Sequence, residues 1–415
     1  MRSAIIYGTY TILNIIALFL VDHWLCRASE KHQNSVAGRV IVDFLYVVLA
    51  FMPILATIIK DSIYKYFLLR YSYIWMGFLM YFGGMLLFPT VVEVIVRCVK
   101  HAKQKKREKE GYSLSEEEIE RNAARSRHVT AFVFCMIILV TIGLNVYGMI
   151  HARNTVVTHY SVEIDKKVEK TEKLRVGLIS DLHISYNSDV KMISNMVDKL
   201  NYYKPDVVFV TGDIFSSSYG AVKDPEAYIK ALKRIKAKEG VFWVYGNHDV
   251  EEPLFCGFGL MPPEDAERTK EMVRFLKKSG FTILDDKCTA ISGGEVQLVG
   301  RADEFKPVER ARERLSADQL LNDIDREKPI IVLEHEPGDY KNLADNDADI
   351  SFSGHTHAGQ IFPGTIFTRF MNDMVYGLDT RYGMQVLVTS GVGNYGPPIR
   401  IGTNSEIVIT DISFK

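Results

Sequence analysis

Apolar positions along this chain fall into two regimes. Through the first 150 residues they come as long runs, at 4–21, 40–59, 71–96 and 129–150, each of 18 or more residues with almost no charge. At a rise of about 1.5 Å per residue, such a run crosses the roughly 30 Å hydrocarbon layer of a bilayer, so four transmembrane helices are expected. Buried helices of a globular domain would need polar faces, and these runs offer few. The first run reads as an anchor and not as a cleaved leader: only Arg2 precedes it, and Asp22-His23-Trp24 is a poor cleavage site. Pro89 removes a backbone donor and predicts a kink in the third span. Asp43 and Glu93 lie near span ends, where their carboxylates are expected to snorkel to the headgroups.

From about His159 the pattern changes to short β-branched runs alternating with helical stretches. Strands are expected at 174–180, 206–211, 241–245, 296–299, 330–333, 350–353, 385–389 and 406–410, and helices around 190–201, 225–237 and 264–278. This is the pattern of a layered α/β domain. Two parts follow: a membrane anchor over 1–154, including a charged loop at 100–127, and an α/β domain over 155–415.

Charge sharpens the division. The formal total of −1 hides 18 Lys+Arg against 11 Asp+Glu in 1–154, which is +7, and 32 against 40 in the remainder, which is −8. An acidic domain argues against nucleic acid as its partner, because phosphate backbones are met by basic surfaces. The segment 100–127 holds nine basic residues, among them Lys103, Lys105, Lys106, Arg107 and Lys109, and the first loop adds Arg27, Lys31 and Arg39. The opposite side offers only Arg2, Lys60, Lys65 and Arg70. By the positive-inside rule the two basic loops are cytoplasmic, and the C-terminal domain is expected on the extracytoplasmic face of the membrane. Ser115 followed by Glu118 forms a capping box for a helix leading into the fourth span. Five cysteines show no CxxC spacing; Cys256 and Cys288 have the option of pairing outside the cytoplasm, with two free thiols the default.

Chemistry enters where the strands end. The run 174–180 leads into Asp181-Leu182-His183, 207–211 into Gly212-Asp213, and 241–245 into Gly246-Asn247-His248-Asp249. Further on, 330–334 leads into His335 and 350–353 into Gly354-His355-Thr356-His357. Carboxyl ends of strands converge on the ligand crevice of an open α/β sheet, so these clusters are expected to meet in space. Three carboxylates, one amide and four or five imidazoles suit borderline divalent metals such as Mn, Fe, Zn or Co. More than four ligands points to two metal ions, with Asp213 the natural bridge.

The ordered set D-x-H, G-D, G-N-H-D, H and G-H-T-H resembles the calcineurin-like metallophosphoesterase family over about 173–415. The resemblance implies a four-layer αββα sandwich behind the four transmembrane helices. It also implies one metal on Asp181, His183, Asp213 and His357, and another on Asp213, Asn247, His335 and His355. His248 is placed by it near the leaving-group oxygen, with a proton to give; Asp249 beside it is an orienting or structural acid grouped with the catalytic pair. A narrower resemblance rests on His357-Ala358-Gly359-Gln360 followed by Ile361-Phe362-Pro363, and on the run 390–400. These look like a membrane-associated bacterial branch whose members include an enzyme that splits UDP-diacylglucosamine. Asn394 and Arg400, in the second of these runs, are candidates for gripping a substrate phosphate or headgroup.

Two apolar segments follow site motifs: Phe255, Phe258, Leu260 and Met261 after the G-N-H-D cluster, and Ile361, Phe362, Ile366, Phe367, Phe370 and Met371 after G-H-T-H. So many large apolar side chains in turn-rich chain need an apolar partner, and both segments are expected to touch acyl chains or the bilayer. The sequence therefore reads as a membrane-anchored dinuclear-metal phosphoesterase, acting on phosphodiester or pyrophosphate bonds of a lipid-linked or cell-envelope substrate. The competing reading is a catalytically weak metal-binding sensor or interaction protein of the membrane.

Overall fold

The computed structural model describes residues 2–59, 63–109, 115–260, 268–304 and 314–415. The chain divides into two units, Met1–Tyr147 and Gly148–Lys415. The first is built from α1 (Arg2–Ala28), the single turn α2 (Glu30–Gln33), α3 (Val36–Ile58), α4 (Ile63–Lys109) and α5 (Glu116–His151), the last turn of which enters the second unit. The four long helices are each long and apolar enough to cross a membrane. Their outward faces carry exposed Phe19, Phe44, Phe88 and Phe132, as lipid-facing surfaces do, while Trp24, Phe82, Leu86 and Phe134 pack inside.

One expectation changes here. The stretch 100–127 is largely helix, because α4 runs on to Lys109 and α5 already begins at Glu116. Lys, Arg and Glu are good helix formers, and the Ser115 hydroxyl accepts from the Glu118 N–H while the Glu118 carboxylate accepts from the Ser115 N–H. Glu93 does not reach out alone: Arg27 and Arg97 both pair with it. Near the same C-terminal end of α1, Asp22 takes a bidentate pair from Arg39 at 2.9 and 2.8 Å. α4 continues as helix across Pro89.

The second unit holds two six-stranded sheets. The first contains β1 (Val156–Ile164), β2 (Lys173–Ile179), β3 (Val207–Thr211) and β4 (Val241–Val244). After a small hairpin of β5 (Leu254–Phe255) and β6 (Phe258–Gly259) comes β7 (Thr282–Ile283), which returns to that sheet. The second sheet contains β8 (Lys287–Ile291), β9 (Val296–Gly300), β10 (Ile330–Leu333), β11 (Ile350–Ser353), β12 (Gly377–Arg381) and β13 (Met384–Val388). The final strand, β14 (Glu406–Phe414), inserts into the first sheet, giving the orders β1-β14-β2-β3-β4-β7 and β12-β13-β11-β10-β9-β8. Central neighbours β2, β3 and β4 are parallel, as are β9, β10, β11 and β13.

Period-two patterning explains the layers. On β3, Val207 and Phe209 face inward, where they meet Leu178, Leu333, Phe352 and Leu387 in one core between the sheets. Val208 and Val210 face outward onto α6 (Val190–Tyr202), α7 (Pro225–Leu232) and α8 (Lys270–Lys278), which contribute Ile193, Leu200, Leu232 and Phe275. On the far side, Ile330, Val332 and Val386 pack against α9 (Ala317–Leu320) and α10 (Tyr340–Asp345). The result is an αββα sandwich whose strands are buried on both faces, which is why they read as continuous apolar runs. One further helix, α11 (Gly364–Met371), buries none of its residues.

Candidate metal centre

Five parallel strands, β2, β3 and β4 in one sheet and β10 and β11 in the other, deliver polar residues just beyond their carboxyl ends. Asp181 and His183 follow β2, Asp213 follows β3, Asn247, His248 and Asp249 follow β4, His335 follows β10, and His355 and His357 follow β11. The backbone turns sharply at these points. Asp181, His183, Asp213, His355 and His357 all adopt positive φ, between 45° and 69°. Such conformations cost L-residues about 1 kcal/mol or more each and persist where surrounding structure over-determines them, as at functional sites. The motif glycines serve close approach: a Cβ on Gly246 would collide with the Asp213 carboxylate, and one on Gly354 with Ser180 and the Asp181 carboxylate.

All seven ligand candidates are brought together. Ligand atoms of Asp181, His183 and His357 form one convergent group, and those of Asp181, Asp213 and His335 another. The Nε2 atoms of His183 and His357 are 3.0 Å apart, and His335 Nε2 lies 3.0 Å from Asn247 Oδ1 and 3.3 Å from His355 Nδ1. Asp213 stands between the two sets. Its Oδ1 accepts from the His248 N–H at 2.7 Å, while its Oδ2 lies 3.2 Å from His335 Nε2 and 3.6 Å from His183 Nε2. So many acceptor atoms aimed at one another, in a pocket where most are buried, make a donor set that fits divalent cations.

The outer partners fix the rings. The Thr211 carbonyl lies 2.7 Å from His335 Nδ1 and can only accept, so Nδ1 carries the proton and donates, with Nε2 turned to the centre. Ser216 Oγ lies 3.1 Å from His183 Nδ1. Burial pushes His183 and His355 down to about 4, and holds His357 well below its ordinary value, so these imidazoles are neutral at neutral pH. His335 goes the other way: burial lowers it, but the Asp213 and Asp181 carboxylates more than offset that. Asp181 is pushed up to about 6 by burial. Burial would raise Asp213 too, but His335 and His248 hold it well below the usual carboxylate range.

His248 is half-buried at the edge of the cluster. Its Nδ1 lies 2.8 Å from Ser217 Oγ, and its ring stacks on Tyr395 at 4.3 Å.

Asp249 and Arg400 are both held by the main chain, the first as the orienting or structural acid expected, the second against expectation. Asp249 does not face reacting atoms; its buried carboxylate accepts from the N–H groups of Asp213, Phe215 and Gly246 at 2.9–3.1 Å, tying the β3 and β4 turns together. Arg400 does not grip a substrate phosphate either. It is fully buried, and its guanidinium donates to the carbonyls of Ser390, Gly391, Gly393 and Asn404, with Nη2 3.2 Å from His357 Nδ1. Both are tied into the main chain around the cluster. Asn394 is half-buried, and its Oδ1 is a buried acceptor.

The first apolar segment is corrected as well. Phe255 and Leu260 are buried within the unit and Phe258 is half-buried against Tyr395, while Met261 lies outside the described residues. In the second segment Ile361 is buried, but Phe362, Ile366, Phe367, Phe370 and Met371 are exposed. Cys256 and Cys288 are free thiols, the first buried and the second exposed.

Four contributors escaped the sequence reading: Ser216, Ser217, Tyr395 and Glu336. The serines sit in a Ser-Ser-Ser run just after Asp213, Tyr395 is in the same late run as Asn394, and Glu336 directly follows His335. The Glu336 carboxyl lies 3.8 Å from His355 Nδ1 and is pushed up to about 8 by burial and by Asp303.

Residues 174–359 match the family described as calcineurin-like phosphoesterase. Among curated proteins, an uncharacterized metallophosphoesterase of Helicobacter pylori is 30% identical over 245 residues, covering 58% of this chain and 60% of the relative. A transmembrane protein with metallophosphoesterase domain from Danio rerio is 30% identical over 288 residues, covering 67% of this chain and 62% of the relative. The chain thus spans about 60% of the length of these relatives. Among solved structures, the NAD nucleotidase of Haemophilus influenzae aligns over 54% of this chain and 46% of its own, with 15% identity and a TM-score of 0.35.

Proposed function

We propose, from the premise that this chain carries a calcineurin-like metallophosphoesterase domain beside helices fit to span a membrane, that it is a membrane-anchored, metal-dependent phosphoesterase. The observation that carries the proposal is the convergence of seven ligand side chains from five strand ends, with His248 at their edge.

The ligand arrangement supports two cations. Asp181, His183, Asp213 and His357 would hold one, and Asp213, Asn247, His335 and His355 the other, with the Asp213 carboxylate shared between them. Bound divalent cations would supply Lewis acidity toward phosphoryl oxygens and an activated water. The chain does the rest. Asp249 and Gly246 hold Asp213 and Asn247 at their separation, and the Thr211 carbonyl and Ser216 hydroxyl keep two imidazole rings turned inward. His248, oriented by Ser217 and by stacking on Tyr395, holds a proton for the departing alkoxide. Asn394, in the loop after β13, is the candidate for meeting a substrate oxygen or headgroup.

The substrate reading follows from anchoring and from the exposed apolar segment after G-H-T-H: a phosphodiester or pyrophosphate of a lipid-linked or envelope molecule, of UDP-diacylglucosamine type. The basic loops of the N-terminal unit support an extracytoplasmic domain.

The test is turnover by the purified full chain, in detergent with added Mn²⁺, of an aryl phosphate monoester, an aryl phosphodiester and a lipid-linked pyrophosphate. His248→Ala is expected to lower kcat on the diester by about 10²-fold or more, the scale of general acid catalysis. The proposal fails if neither ester class is hydrolysed, or if His248→Ala and Asn247→Ala both leave turnover unchanged.

A further inference from the structure

α11 is amphipathic in an unusual sense: its apolar side faces away from the protein. Phe370 and Met371 are 84% and 82% exposed, Phe367 63%, Ile366 46%, and Phe362, just before the helix, 50%. Positions 366 and 370, and 367 and 371, stack at four-residue spacing into one stripe. The opposite side, with Thr365 and Arg369, turns toward a cavity of ≈ 590 Å³ that Asn372, Asp373 and Asn404 also line. A soluble surface does not keep five large apolar side chains contiguous without something to cover them.

The local framework indicates what covers them. Within the C-terminal unit, the loop 399–404 carries two neighbours. On one side it receives the end of α5, the helix apolar enough to cross a membrane: the Arg400 N–H donates to the Gly148 carbonyl at 3.1 Å, and His151 Nε2 lies 3.1 Å from the Thr403 carbonyl. On the other it holds the chain entering α11: the Phe362 N–H donates to the Ile401 carbonyl at 2.8 Å, and the Ile401 N–H to Gln360 at 3.1 Å. One six-residue loop therefore separates the point where a spanning helix ends from the exposed apolar stripe. α11 also rests on the turn that carries His357, since Gly359 there packs directly against the Thr365 backbone.

We propose that α11 is an interfacial wedge, with Phe362, Ile366, Phe367, Phe370 and Met371 seated in the headgroup and acyl boundary of the bilayer that α5 crosses. This rests on the reading of the front helices as membrane spans. It gives α11 a specific occupant, the lipid surface, and places the turn bearing His357 next to it. Short amphipathic helices bind this way through buried apolar area, with polar residues kept on the wet side.

The test uses the full chain in vesicles of phosphatidylcholine with and without brominated acyl chains, which quench tryptophan at short range. Native Trp24, on the first spanning helix, and Trp75, on the third, serve as internal references. Phe370→Trp, and independently Met371→Trp, are expected to add emission that is blue-shifted and falls about two-fold or more in brominated vesicles, after subtraction of the wild-type signal. Tyr202→Trp, on the exposed surface of α6, is expected to show neither change. Quenching of the wild type without quenching at 370 and 371 would overturn the wedge and leave the anchor standing. Shielding of residue 370 that depends on protein density and not on bromination would assign the stripe to a second copy and equally overturn it. A wild type that is not quenched at all would overturn the spanning reading and the wedge together.

Discussion

Arg400 illustrates how burial reverses the meaning of a residue. A charged side chain close to a metal centre reads in sequence as a substrate clamp, yet here it is consumed by four main-chain carbonyls. The two roles separate kinetically. Arg400→Met leaves those carbonyls without donors in a buried place and frees the 390–393 loop beside His357, so kcat should fall about 10- to 100-fold, the range for outer partners of metal ligands, with KM little altered. Arg400→Lys should recover little, because one ammonium cannot replace the guanidinium fork. A raised KM at unchanged kcat, measured on an aryl phosphodiester, would return Arg400 to the substrate. At this scale the seven ligand candidates were legible because chemistry-bearing residue types cluster where apolar runs stop. The Thr211 carbonyl, the Ser216 and Ser217 hydroxyls and the Tyr395 ring were not, since a backbone atom has no residue code and serines in a turn have many uses.

Among the elements, legibility tracked burial. The central strands β3, β10 and β11 were readable nearly to the residue, because burial on both faces leaves an uninterrupted β-branched run. The edge strands β1, β7, β8 and β12 were missed: β7 is two residues long, and β1, β8 and β12 mix polar with apolar positions on half-exposed surfaces. The charged extension of α4 to Lys109 looked like loop because its polarity has no face, although its residues favour helix. The two apolar segments looked alike in sequence and differ in structure, since the first folds into the β5–β6 hairpin with Phe255 buried and the second forms the bare helix α11. Only the second therefore carries a membrane prediction. Replacing Phe362 and Phe367 together by Ser should lower turnover of a lipid-linked substrate about ten-fold while sparing a soluble aryl phosphodiester. Equal loss on both substrates would assign these side chains to folding.

At the level of the whole chain, 12 Lys and Arg residues in the loops on one side of the spans, against four on the other, argue for a fixed orientation. Basic residues flank the spans on one side, so a C-terminal reporter that is active only in an oxidising compartment should be active when fused after Lys415. Activity of a reporter restricted to the cytoplasm would reverse the orientation and make cytoplasmic nucleotide-lipids the accessible pool. Asp181 and Asp213 lie buried among four imidazoles and the Asn247 amide, so cations bound there would offset their charge whichever side the domain occupies. The most direct test is hydrolysis of an aryl phosphodiester by the purified full chain as metal is removed and returned. A chelator should abolish turnover, Mn²⁺ or another borderline divalent ion should restore it, and Asn247→Ala and His335→Ala should prevent restoration while retaining the wild-type circular dichroism. Hydrolysis that persists without metal, or that survives both substitutions, would contradict the assignment of this cluster as a phosphoesterase metal centre.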